Sequence, residues 1–516
     1  MKHMTIRPTR LRLRPLRSLI AVGLALSLGL ALSGCSDSGS TQGGSTSSEL
    51  KVAIASDVVG FDPYSKVLQQ YVFSKVIYEP LFEYDSNLKP QPVLAKSWNI
   101  AKDSKSVKLQ LRKGVKFHDG AAFNADAVVK NFERAKNPET GQNIAPLVAP
   151  VASVIPNGDA VTINFTSAVP DKLIYDMLQG FPMVDPAAFN KLKDSASGTG
   201  PFKLAKWAPG TSIELSANKS WWKETPKLKA LTFKIFSDAN AEVSALQSGD
   251  VDMIDGVGTD QAKNLKSSGF SIVPGPPGAL TMEMRLNPKS GPLVDKSYRQ
   301  ALMRALDRKS IVDSVLDGYG KPIETPFFTH FSDTQLAALD EKYGYSEDAA
   351  KAAFGLSPDG FTIMLQSSQP ATIAAAQIVQ ASLKKIGVNV KLEKLEPTTF
   401  SDRLLTGKFD STISIGSGGQ HYPSNIAFGS AWRLEGNALW GNDVPKNYAN
   451  ALGEMQRALT LETQSETLNK FSDVVLDMAA VLQISDNPVL FAVSDKVKGF
   501  DLTVDGMPLF GGVSVS

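Results

Sequence analysis

Between Phe361 and Ile415 the sequence alternates extended and helical patterning in a way that leaves few folds open. Phe361–Leu365 is a short apolar run, as a buried strand requires. Thr372–Ile386 places apolar residues at helical spacing, and Gly387 stops it. Val388, Val390 and Leu392 alternate with polar residues, Phe400–Leu405 is a short helix, and Ser411–Ile415 is a third strand. A β-α-β-α-β run of this kind favours parallel pairing through right-handed crossovers, so the chain is predicted to be α/β. In open α/β sheets ligands collect at the carboxyl ends of the strands. The segment leaving the third strand is Gly416-Ser-Gly-Gly-Gln-His-Tyr-Pro423, with little bulk, exposed backbone donors and a His-Tyr pair. It is either a ligand-facing loop or a plain flexible turn, and spacing alone leaves both open.

The rest of the body has the same mixed character. Lys51–Ala55 is predicted as a strand, Ser56–Tyr64 as a loop, and Ser65 to Ile77 as a helix. Val107, Leu109 and Leu111 alternate as a half-buried strand does, and Asn124-Ala-Asp126 caps a helix carrying Val128, Val129 and Phe132. Val161–Phe165, Leu231–Phe236, Val251–Ile254 and Met282–Leu286 are further strands. Gly198-Thr-Gly-Pro201 is a turn or crossover. Asp238–Gln247, ended by Gly249, and then Asp295–Leu306 and Ser310–Leu316, are helices. A body of roughly 465 residues is too large for a single core, which implies two or three lobes.

The N-terminus is set apart. Lys2, Arg7, Arg10, Arg12, Arg14 and Arg17 form a basic stretch without an acidic residue, and Leu19–Leu32 is apolar and uncharged. That run is short for a membrane span and has the shape of a signal-peptide core, so residues 1–34 are expected to be an export signal. Leu32-Ser33-Gly34-Cys35 resembles the bacterial lipobox, in which the cysteine receives a diacylglyceryl group and becomes the first mature residue. More than one acyl chain gives durable anchoring. An ordinary secretory signal followed by an unrelated cysteine is the alternative. Residues 35–49, rich in Ser, Gly and Thr, are expected to be a flexible tether.

Composition removes several functions. The chain's net charge is +2, but residues 1–34 carry six basic and no acidic side chains, leaving about −4 on the remainder. That is no footprint for nucleic acid. Cys35 is the one cysteine, which excludes disulfides and thiolate metal sites. No Gly-x-x-x-x-Gly-Lys-[Ser/Thr], His-Glu-x-x-His or Gly-x-Ser-x-Gly occurs. His118, His330 and His421 are far apart in sequence, and His118 fits a turn in Phe117-His-Asp-Gly120. No cofactor, resident metal or catalytic residue is expected. A hydrolase using Ser417, His421 and a remote carboxylate is the competing class. Of six tryptophans, Trp432, close to the Gly-rich loop with Tyr422, is the candidate ligand wall, and the others suit cores.

Several stretches, modest singly, are specific in their order. They are Phe61-Asp-Pro63, Ile77-Tyr-Glu-Pro-Leu-Phe82 and Pro92-Val-Leu-Ala-Lys-Ser-Trp98. Then come Leu111–Gly120, Phe123–Val128, Gly198-Thr-Gly-Pro-Phe202, Asn218-Lys-Ser-Trp-Trp222, Tyr298–Leu302 and Ala305–Ile311. Together they resemble the family-5 solute-binding proteins of ABC importers, the oligopeptide-, dipeptide- and nickel-binding group, over nearly all of residues 50–510.

The resemblance implies a two-lobed periplasmic-binding-protein-like fold (class II, type C) with an inserted subdomain and a cleft that closes about a hinge. Lobe I is then 50–83 with 196–275 and 488–516, the inserted subdomain 84–195, and lobe II 276–487. A monomer is expected to capture a peptide or peptide-like solute and deliver it to an ABC permease, while a lipid on Cys35 holds it to the membrane. A metal chelate of the nickel type is the alternative cargo. In the family's peptide binders, the loop after the strand at 411–415 carries a Trp and then an Asp before Pro, the Asp pairing with the ligand's ammonium. Here Ser417 and Tyr422 stand at those positions. The implied contacts are Phe61 and Tyr64 from one lobe, with Ser417, Gly418, Gly419, Gln420, His421, Tyr422, Trp432 and Arg433 from the other.

Overall fold

The computed structural model describes residues 49–516 apart from 66–72, 74, 86–88, 143, 355–359, 418–433, 435–438, 441–442 and 459; of Ser417 and Leu461 it describes the backbone alone. Three sheets carry the architecture of these residues. The largest has seven strands in the order Phe202–Ala208, Ser212–Ala217, Ala230–Ile235, Glu49–Ile54, Met253–Asp255, Leu490–Val493 and Ser271–Pro274. Glu49–Ile54 lies at its centre, parallel to Ala230–Ile235 and Met253–Asp255. It is buried at Leu50, Val52 and Ala53, as a strand covered on both faces should be.

The second sheet has six strands in the order Lys321–Pro322, Val481–Asp486, Leu280–Leu286, Ser411–Ser417, Phe361–Gln366 and Val390–Leu395. Phe361–Gln366 runs parallel to both Val390–Leu395 and Ser411–Ser417, which is the pairing the β-α-β-α-β pattern predicts. Helix Pro370–Lys385 packs Ala375, Ala376, Val379 and Leu383 on this sheet, and Gly387 ends the segment at a φ of 88°.

Ala95–Ile100, Ser106–Leu111, Ala160–Phe165 and Val151–Asn157 form a third, antiparallel sheet. Its apolar face is not an isolated core. Leu109, Val161 and Ile163 belong to the same buried cluster as Leu50, Val52 and Phe233 of the large sheet. The following helix, Ala125–Lys136, starts where Asn124 accepts the Ala127 N–H at 3.0 Å, and it buries Val128 and Phe132.

The helix expected over Ser65–Ile77 falls mostly on residues outside the described set, and Lys75–Ile77 are a turn. Two glycines there have a steric reason. A Cβ on Gly198 would stand 2.2 Å from the Ile77 carbonyl oxygen, and one on Gly200 2.6 Å from that of Val76. Only glycine lets the Gly198-Thr-Gly-Pro201 turn pass against that segment.

Chain connectivity positions the site. The chain leaves the seven-stranded sheet after Pro274 and enters the six-stranded sheet at Leu280. It leaves that sheet at Asp486 and returns at Leu490. Two short crossovers therefore join the sheets. No helix among the described residues is long and apolar enough to cross a membrane.

Candidate functional site

The loop after Glu49–Ile54 is held by polar contacts, of which those of Tyr64 and Tyr78 are buried. The Asp57 carboxylate accepts the Trp207 indole N–H at 3.0 Å and the Gly210 N–H at 2.6 Å. Asp62 pairs with Arg134, whose guanidinium lies 4.6 Å from the Tyr64 ring centroid. The Tyr64 hydroxyl donates to Asn131 Oδ1 at 2.7 Å, and Tyr78 donates to the Phe61 carbonyl at 2.7 Å. Phe61 is 2% exposed and Tyr64 0%. Their side chains therefore anchor the loop in the core. Val59, 58% exposed, is the apolar side chain that the loop presents outward.

A cavity of about 960 Å³ opens where the two large sheet units meet. Glu83, Tyr84, Gln179, Val273, Pro274 and Asp505 line it from the first unit, and Lys321, Pro322, Glu324 and Phe328 from the second. The size suits a small organic solute, and the mixture of apolar walls with a few polar groups is the usual composition of such sites. Five carboxylates (Glu83, Asp85, Glu324, Asp501 and Asp505) face two lysines (Lys75 and Lys321), so the lining is acidic.

These carboxylates are not equivalent. Glu83 pairs with Lys75 at 3.1 Å; burial pushes its pKa up, but Lys75 and Lys223 outweigh that and hold it below the usual range. Asp505 accepts from the Thr503 hydroxyl, with the Gln179 amide at 3.5 Å. Asp85 accepts the Lys89 N–H and the Gln91 amide. The Glu324 side chain is 12% exposed; its ion-pair partner among the described residues, Arg308, stands 4.0 Å away, and its own backbone N–H also bonds to it. Burial raises its pKa, and Arg308 only partly opposes this.

The loop that leaves Ser411–Ser417 starts at this junction. Ser417 pairs with Leu280, the first strand residue after the crossover. The proposed contacts Gly418, Gly419, Gln420, His421, Tyr422, Trp432 and Arg433 lie outside the described residues, as does Cys35. Trp98, Trp207, Trp221 and Trp222 pack on or beside the large core, and Trp440 is buried in a smaller cluster. Among the described residues no group of three or more His, Cys, Asp or Glu is arranged to hold a metal ion.

His118 has a structural place. Its Nε2 lies 3.0 Å from the Gly200 carbonyl, and its Nδ1 accepts the Gly198 N–H at 3.4 Å, so the neutral tautomer with the proton on Nε2 joins two turns. Burial lowers its pKa from 6.5 to about 4, partly offset by the Gly200 carbonyl. A histidine kept neutral by the fold contributes stability that is complete above its unfolded pKa. That stability is lost as pH falls from about 6.5 through about 4. Asp176 and Asp255 act oppositely: burial raises them to about 7 and about 6, and their contribution disappears as pH rises through those values. His118→Gln is expected to remove on the order of 3 kcal/mol of acid sensitivity and to move the stability maximum to lower pH. Urea titrations between pH 4 and 8 measure this, and an unchanged maximum would contradict it.

Comparison with known proteins now bears on this arrangement. A family model described as "Bacterial extracellular solute-binding proteins, family 5 Middle" matches residues 89–439. The chain belongs to that family. The family-5 chain is 28% identical over 430 residues to the "Probable D,D-dipeptide-binding periplasmic protein DdpA" of Escherichia coli, covering 79% of this chain and 81% of the relative. It is 28% identical to the glutathione-binding protein GsiB of Pectobacterium atrosepticum, covering 67% of this chain and 69% of the relative. The crystal structure of NikA from Brucella suis, in complex with Fe(III)-EDTA, superposes with a TM-score of 0.80 at 22% identity, over 91% of this chain and 100% of that one. The two-lobed α/β fold is therefore that of family-5 binding proteins, and the chain is an extracytoplasmic solute-binding protein of an ABC importer. The family is one of transport proteins rather than enzymes.

The cavity residues were not visible as a site in the sequence. Glu83, Gln179, Glu324 and Asp505 come from four distant segments, and nothing local distinguishes them from solvated charges.

Proposed function

We propose that this family-5 protein captures a peptide or peptide-like solute bearing a cationic group, and delivers it to its permease while a lipid on Cys35 holds it at the membrane. The observation that carries the cargo reading is the acidic lining of the cavity between the two sheet units. The family's peptide binders place an Asp where this chain has Tyr422. Glu324 supplies a nearly buried carboxylate whose ion-pair partner among the described residues, Arg308, is 4.0 Å away, and an ammonium placed beside it brings a closer opposite charge. The relatives named for a dipeptide and for glutathione support a cargo of this size and chemistry. Closure of the lobes takes the bound solute out of water, and the changed surface is what the permease meets. The family resemblance assigns further solute contacts to Gln420, His421, Tyr422, Trp432 and Arg433, which lie outside the described residues.

Calorimetry with matched dipeptides and their N-acetylated forms tests the cargo. Free dipeptides are expected to bind at least about tenfold more tightly, the weight of one charge-assisted hydrogen bond. Equal affinity for both forms would sink the cationic reading. If neither binds but a nickel–histidine complex does, the cargo is a metal chelate, the alternative reading of the same trap.

The anchor has its own test. Cys35→Ala is expected to abolish incorporation of labelled fatty acid into the protein, because Cys35 is the one thiol in the chain that can carry the lipid. Fatty-acid label remaining on the variant, measured by metabolic labelling and immunoprecipitation, would contradict lipid attachment at Cys35.

A further inference from the structure

The two crossovers that join the sheets are fastened to each other, and the fastening is uneven. At the end nearest the seven-stranded sheet, the Gly275 N–H donates to the Val489 carbonyl at 2.7 Å. At the other end the Asn487 N–H donates to the Leu280 carbonyl at 2.9 Å. Between these bonds the first crossover is Pro276-Pro277-Gly278-Ala279 and the second contains Pro488. Proline fixes φ and supplies no donor, so Pro276, Pro277 and Pro488 neither turn about φ nor donate a bond across. Gly278 is the exception. Its φ is +83°, and its N–H donates to the Asp486 carboxylate at 2.8 Å in a buried position.

Asp486 is 3% exposed, at the end of Val481–Asp486 and opposite Lys321 in the neighbouring strand. Segment 320 crowds it: a Cβ on Gly320 would stand 2.4 Å from the Asp486 carbonyl oxygen. Burying a carboxylate costs free energy unless it is bonded, and here one of its bonds ties the end of Val481–Asp486 to the first crossover. A side-chain acceptor also differs from a backbone one. Its two oxygens follow a rotating N–H through changes in χ, whereas a carbonyl fixed in a strand does not.

We propose that Gly278 is the pivot about which the lobes turn, and that the Asp486 carboxylate is the latch that limits the turn. The cavity is lined by Pro274, Pro276 and Pro277 on one side and by Lys321 and Pro322 on the other. A solute seated there touches the pivot segment directly, so occupancy and lobe angle are coupled through contact. This inference rests on the reading of the chain as a two-lobed trap.

The test measures the distance between nitroxide labels on the two lobes by pulsed electron resonance. Exposed Lys219 and Lys384 are changed to Cys for labelling, and Cys35 to Ala, in otherwise full-length protein. Without solute, Asp486→Ala is expected to roughly double the width of the distance distribution, because the lobes lose a restraint on their angle. Asp486→Asn, which keeps an acceptor oxygen, is expected to stay near the parent width. Superposable distributions for Asp486→Ala and the parent would overturn the proposal, as would an Asn variant as broad as the Ala variant. Gly278→Ala serves if Asp486→Ala does not fold. A side chain at φ +83° is strained, so the mean distance is expected to shift, and an unmoved mean would count against the pivot. Because width is read without solute, failure of peptides to bind would count against the cargo and leave this comparison intact.

Discussion

Glu324→Lys is expected to weaken solute binding by on the order of 100-fold. The substitution replaces a nearly buried carboxylate on the cavity wall by an ammonium, so a cationic solute meets repulsion where it had a partner. Losing one partner of a desolvated charge pair costs roughly 2–5 kcal/mol, and the like charge adds to it. Arg308, already close to this point and buried, would then face a second cation, so a fall in stability is also expected. Glu324→Gln separates the two effects. It keeps the shape, removes the charge, and is expected to cost binding about tenfold with little change in the urea midpoint. Calorimetry with a free dipeptide measures both variants. Affinity unchanged by Glu324→Lys would show that the cationic group is not held here.

Glu79→Leu is expected to destabilise the fold by about 3 kcal/mol or more. Glu79 is 4% exposed and accepts from three donors: the Trp221 indole at 3.1 Å, the Trp222 indole at 2.8 Å and the Thr199 hydroxyl at 2.8 Å. It ties the segment before the third sheet to the Gly198-Thr-Gly-Pro turn and to the Trp-Trp pair. The Arg112 guanidinium, 4.0 Å from the Trp222 ring centroid, closes the arrangement from the third sheet. Burial raises the Glu79 pKa, and the indole and hydroxyl bonds pull it back. Leucine fills the space and leaves three donors without an acceptor, each costing about 1–3 kcal/mol where water cannot reach. The indoles are only partly buried, which keeps the total towards the lower end. Equilibrium urea unfolding measures the loss, and a change below about 1 kcal/mol would mean that water replaces the carboxylate.

Local patterning made part of this fold legible. Phe361–Gln366, Val390–Leu395 and Ser411–Ser417 announce themselves because strands separated by short helices have one economical arrangement, and they adopt it. Asn124 marks its helix because an N-cap is a chemical requirement of the chain next to it. Val481–Asp486 and Leu490–Val493 were less visible. Residues 481–493 form one largely apolar stretch, yet Asn487–Val489 divide it between two different sheets. That division depends on partners some 200 residues earlier, which no local window contains. The helices Lys446–Arg457 and Leu461–Met478, which pack Tyr448 against Phe471, also went unmarked.

The site divides in the same way. The family resemblance implies ligand contacts at Phe61 and Tyr64. In that loop, however, the Asp62–Arg134 pair and the Tyr64–Asn131 bond draw both rings inward. An aromatic residue in a loop can face solute or core, and its sequence neighbours do not decide between them. Glu324 is the reverse case. Its surroundings, Pro322-Ile-Glu-Thr-Pro326, carry no signal, and only the meeting of the two sheet units gives it a role.

Native mass spectrometry of the protein purified without denaturation tests the central claim most directly. The account predicts a population carrying one small cationic molecule per chain, released intact on unfolding and displaced by a free dipeptide. A protein that instead consumes such molecules, and whose turnover disappears in Ser417→Ala, would contradict it.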